Sequence, residues 1–141
     1  MKRQHGFTLI EMMIVVGIIA ILSAVAIPNL LRSRVQSNEA AAIQNIRTVI
    51  GAQTVFQTAN QRFAADFAEL TAGNPAFLDG SWDPANGGYL YVLVGTDHSF
   101  TLNANAKQYG VTGNRGFYTD TSGVIRYADM ADADSASTPI G

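Results

Sequence analysis

One carboxylate in this chain stands where a carboxylate is expensive. Glu11 is the only charged residue between Gly6 and Leu31, in the run GFTLIEMMIVVGIIAILSAVAIPNLL. An ionised acid costs about 2.5–3.5 kcal/mol near the centre of a bilayer and less towards an interface, so an ionisable side chain in such a segment marks function. The chemistry open to a lone carboxylate is pairing with a cation, and a helix N-terminus already carries partial positive charge. Other chemistries find no residues to carry them. There is no cysteine, so thiol nucleophiles and thiolate metal sites are excluded. The histidines are His5 and His98, too few for a His-rich metal site. No G-x-S-x-G, P-loop or H-E-x-x-H pattern occurs. Gly110 to Gly116 follows Tyr109 rather than opening a helix, so it does not read as a phosphate cradle. Asp129, Asp132 and Asp134 do not match the fixed positions and closing Glu of an EF-hand loop. No catalytic residue, metal ligand or cofactor is expected.

The elements that must position Glu11 follow from patterning. From Met12 to Leu31 only Ser23, Pro28 and Asn29 interrupt the apolar character. Twenty such residues make a helix of about 30 Å, the thickness of a bilayer's hydrocarbon core. This predicts a single membrane helix over 7–31 in contact with lipid. Gly17, Ala20 and Ala24 recur at helical spacing, giving one stripe of small residues. Pro28 cannot donate to the Ala24 carbonyl, so a kink is expected there. Beyond it Val35, Ala42, Ile43, Ile46, Val49, Ile50 and Phe56 form an apolar stripe at helical spacing, which predicts an amphipathic second half over 32–59, continuous through Ser37 and Asn38.

A head over 60–129 follows. Asp66-Phe67-Ala68-Glu69 has capping-box spacing and opens a short helix ending near Leu70 to Gly73, with Phe63, Phe67 and Leu70 on its buried side. Dense turn signals then run to Gly88, including Asp83-Pro84, with Trp82 as a lid over the core. Tyr89–Val94, Ser99–Ala104, Gly116–Thr119 and Val124–Tyr127 read as strands, the last two flanking a turn with Gly123 at positive φ. The expected fold is α+β: a long N-terminal helix, its first half transmembrane, packed on a small antiparallel sheet of three to four strands. Residues 130–141, rich in Ala, Asp, Ser and Thr, read as a flexible C-terminal tail.

Nine Lys and Arg against eleven Asp and Glu give a net charge of −2. Beyond Asn60 there are nine acidic and four basic residues, so a basic face for nucleic acid is not supported. Without cysteines the head must hold by core packing and by neighbours in an assembly.

Across Lys2 to about Leu31 the chain resembles the type IV pilin and type II secretion pseudopilin superfamily. The likeness rests on a basic leader with Lys2 and Arg3 ending in Gly6, then Phe7-Thr8-Leu9-Ile10-Glu11, then an apolar run broken by Pro28. The resemblance implies that 1–6 is a leader removed by a prepilin peptidase between Gly6 and Phe7, and that Phe7 is N-methylated. It implies that Glu11 of one subunit meets the Phe7 amine of a neighbour and sets axial register, and that Pro28 lets the helix adjust. Relatives often carry a further glycine before the proline, and Ala20 to Ala26 contains none. The function implied is a structural subunit of a homo-oligomeric pilus-like filament, not an enzyme. It would be assembled with an assembly ATPase, an inner-membrane platform protein and, in two-membrane bacteria, a secretin. Before assembly it would lie single-pass in the inner membrane, and afterwards in a cell-surface pilus or a periplasmic pseudopilus. The alternatives are a pseudopilin of a type II secretion system, a monomeric membrane-anchored module binding a ligand through Trp82, Tyr89 and Tyr91, and a domain secreted by cleavage after Ala24-Val25-Ala26.

Overall fold

The computed structural model describes residues 6–80, 82 and 85–140, with backbone alone at 85 and 86. The leader charges Lys2, Arg3 and His5, and the turn at Asp83-Pro84, lie outside the described residues. The chain divides into two compact units, 1–33 and 34–141. Helix α1, Leu9–Asn60, runs through both, with Pro28 inside it.

In the first unit the helix keeps its large apolar side chains exposed, from Val15 at 48% to Leu9 at 76%. It is the one helix among the described residues long and apolar enough to cross a membrane. Asn29 Nδ2 donates to the Val25 carbonyl at 3.1 Å, next to the site where Pro28 offers no N–H.

In the second unit the C-terminal half of α1 lies on a six-stranded antiparallel meander, in the order β1 Ala85–Asn86, β2 Tyr89–Gly95, β3 Phe100–Ala106, β4 Arg115–Asp120, β5 Arg126–Asp129 and β6 Thr138–Pro139. The four longer strands follow the expected runs, and the two-residue strands extend the sheet at each edge. Alternation dictates which face is buried. Tyr89, Tyr91 and Leu93 of β2 and Phe100, Leu102 and Ala104 of β3 point into the core. They meet Ala42, Ile46, Val49 and Phe56 of the predicted stripe. The same stripe also buries Glu39 and Gln53, which periodicity did not single out. Helix α2, Phe67–Thr71, begins where the capping box placed it, with Glu69 N donating to Asp66 Oδ1 at 3.0 Å.

The β4–β5 turn has Gly123 at φ 71°, as its spacing predicted, but β5 starts at Arg126 rather than Val124. The Val124 carbonyl accepts from Thr119 Oγ1 at 3.1 Å, an interaction that strand propensity does not report. Residues 130–140 carry more structure than their composition suggests. Thr138 and Pro139 pair with Tyr127 and Arg126, Ala133 is buried, and its carbonyl accepts from Asn103 Nδ2 at 3.0 Å. A side chain at Gly116 would collide with the Ala131 carbonyl, so the segment passes directly over β4.

Candidate assembly site at the start of the long helix

Helix α1 begins at Leu9, directly after Thr8. Glu11 Oε2 accepts from Thr8 N at 2.8 Å and from Thr8 Oγ1 at 2.7 Å, while Glu11 N donates to Thr8 Oγ1 at 3.3 Å. This is a reciprocal capping box, which satisfies N–H groups that the first turn leaves without helical partners. Sequence reading found that spacing at Asp66–Glu69 and missed it at Thr8–Glu11, where T-L-I-E carries the same signature. Gly6 and Phe7 precede the helix, Phe7 is 85% exposed, and Glu11 is exposed. The arrangement offers one carboxylate, its two oxygens unequally occupied, at the mouth of an apolar helix. It can accept a cation or a further donor.

The aromatic residues offered as a ligand surface lie elsewhere. Tyr89 and Tyr91 are 0% and 3% exposed, with Tyr89 Oη donating to the Arg115 carbonyl at 2.7 Å. Trp82 stacks on Phe67 at 5.5 Å and meets Tyr91 edge-on at 6.0 Å, as a lid on the core. The ligand-binding alternative thus loses the residues it relied on, because alternation along β2 turns both tyrosines inward. Desolvation pushes both tyrosine hydroxyls above their usual range.

The C-terminal acids act locally. Asp132 Oδ1 accepts from Tyr109 Oη at 2.8 Å, and Asp134 accepts from Ala136 N and Ser137 Oγ at 2.9 Å each. Among the described residues no group of three or more ligating side chains is placed to hold a metal. His98 is exposed in the β2–β3 turn.

An apolar helix that opens on a capped carboxylate and continues into an α+β head has the architecture of a structural subunit. The prokaryotic N-terminal methylation motif matches residues 1–27. The chain is 30% identical to the type II secretion system core protein G of Vibrio cholerae over 127 residues, covering 78% of this chain and 87% of that protein. It is 46% identical over 66 residues to the type IV major pilin protein PilA of Myxococcus xanthus, covering 47% of this chain and 30% of the relative. To the type IV wide pilus major component PilA4 of Thermus thermophilus it is 40% identical over 70 residues, covering 50% and 53%. The matches thus span about half or less of the two pilins' own length. No solved structure matches. The chain belongs to the type IV pilin and type II secretion pseudopilin superfamily, whose members are structural subunits and not enzymes.

Proposed function

We propose that this chain is the structural subunit of a type IV pilus-like filament. A prepilin peptidase cuts between Gly6 and Phe7 and Phe7 is N-methylated. The subunit waits in the inner membrane through its apolar helix, and an assembly ATPase and platform protein draw it into the growing fibre, which a secretin passes where there is an outer membrane. The observation that carries this reading is the sequence of exposures along α1. Fifteen large apolar side chains from Leu9 to Leu31 are solvent-facing in the single chain, and one carboxylate is set among them. Lipid covers such a surface before assembly, and other copies of the same helix cover it afterwards. In that medium a carboxylate needs a cation. The terminal ammonium that cleavage creates on Phe7 of a neighbouring copy supplies one, so that the pair fixes register. Pro28 gives the helix a point of adjustment.

A second reading, a pseudopilin of a type II secretion system, is favoured by the extent of the match to core protein G, 87% of that protein. Electron microscopy of sheared surface material with mass spectrometry separates the two. Long surface filaments containing this chain support the pilus reading. Loss of protein secretion on deletion, with no surface filament, supports the pseudopilus. Isolated single chains under every condition overturn both.

A further inference from the structure

Gly51 lies in the C-terminal half of α1, and no contact among the described residues calls for a glycine there. A side chain added at that position meets no atom within 4 Å, and the backbone is not left-handed. In a helix interior glycine is less stable than alanine, so the residue costs its own helix something and leaves a notch. The notch opens on a groove of about 560 Å³ between α1 and the loop Gly73–Phe77. Val55, one turn on, lines it and is 58% exposed. Arg47, one turn back, is its only charged lining residue and makes no ion pair among the described residues.

We propose that this groove receives an acidic segment from the head of a second copy of the chain. The inference rests on the filament reading above. The occupant follows from charge. Beyond Asn60 the chain has nine acidic and four basic residues. Arg62 and Arg115 are already tied to Glu69 and Glu39 of their own chain. Asp79, Asp97 and Asp129 are exposed and make no ion pair among the described residues, so a neighbour's surface presents carboxylates to Arg47. The apolar wall of Val55 and Phe77 then packs whatever flanks the acid. A two-fold arrangement through this face would set Arg47 against its own copy. The contact is therefore heterologous, groove on one copy and acidic surface on the next, and a heterologous contact that does not close propagates as a fibre.

The test uses the full chain expressed with its assembly machinery. A Cβ at Gly51 meets nothing of its own chain within 4 Å, and Gly51→Trp carries a bulky side chain from there into the groove. The expected result is loss of filaments at normal membrane levels with a melting temperature no lower than that of the unmodified chain, whereas Gly51→Ala still assembles. Arg47→Glu is expected to lose filaments as well. A photo-crosslinking amino acid at Val55 is expected to give a dimer-sized adduct in sheared filaments, joined to a peptide containing Asp79, Asp97 or Asp129. Normal filaments from Gly51→Trp overturn the proposal while leaving the filament reading intact, as does an adduct with another polypeptide, with lipid or with a non-acidic segment. Absence of filaments from the unmodified chain overturns both.

Discussion

Glu39 and Arg115, 76 residues apart, form an ion pair through one carboxylate oxygen: Glu39 Oε2 accepts from Arg115 Nε at 2.9 Å and lies 2.8 Å from Nη2. The other oxygen accepts from Asn114 N at 2.8 Å. The Arg115 guanidinium also lies over the rings of Phe117 and Tyr127, 5.5 and 5.3 Å from their centroids. One buried carboxylate thus fastens α1 to the start of β4. Removing one partner of a buried pair costs about 3–5 kcal/mol, and because Arg115 is one-third exposed Glu39→Ala should fall at the lower end, about 3 kcal/mol. Chemical denaturation of the full chain in micelles checks this, and an unchanged midpoint refutes it.

Gln53 is fully buried and copies a strand partner for Ala64, donating to its carbonyl at 3.0 Å and accepting from its N–H at 2.9 Å. Gln53→Leu keeps the volume and leaves two buried backbone groups unpaired. Each such group costs about 1–3 kcal/mol, so a loss of roughly 2 kcal/mol or more is expected in the same denaturation experiment.

Arg62 grips Glu69 through two hydrogen bonds of 2.8 and 2.9 Å, and Ala65 N adds a third. Together, the Arg62 fork foremost, they lower the Glu69 carboxyl from 4.5 to about 2. A depressed carboxylate pKa contributes stability above the unfolded value and loses it as pH falls through the folded one. The difference in melting temperature between the unmodified chain and Arg62→Ala should be constant above pH 4.5 and shrink as pH falls towards 2. The pair is more than one-third exposed, so the whole effect is small and weakens with salt.

Thr8→Ala removes the hydroxyl that both donates to and accepts from Glu11. Loss of an N-cap costs about 1 kcal/mol. Faster amide exchange over the first turn of α1, with the exchange of the head unchanged, is the expected signature in micelles.

Glu11→Ala should be cut and methylated normally and should fail to enter filaments. The mature product should begin with N-methylated Phe7. Mass spectrometry of the N-terminal peptide reads both. Filaments at normal levels from Glu11→Ala remove the carboxylate from assembly, and a mature N-terminus at Ile27 replaces the whole scheme with ordinary signal-peptide cleavage.

Local patterning already held much of this molecule. The charge-free run after Glu11, the helical stripe from Val35 to Phe56, the cap at Asp66 and the alternation of Phe100, Leu102 and Ala104 each depend on neighbours within a few residues, so the order of the chain displays them. The Thr8–Glu11 box is equally local, spanning four consecutive residues. Only the tertiary structure decided the rest. Glu39 and Gln53 look like surface polar residues on a helix until partners 75 and 11 residues further along the chain appear. The segment after Asp129 has the composition of a solvated tail, yet Asn103 and the β5 backbone supply its hydrogen-bond partners. Burying a polar group requires a partner, and whether that partner arrives is settled by how the strands fold back, which no local spacing records.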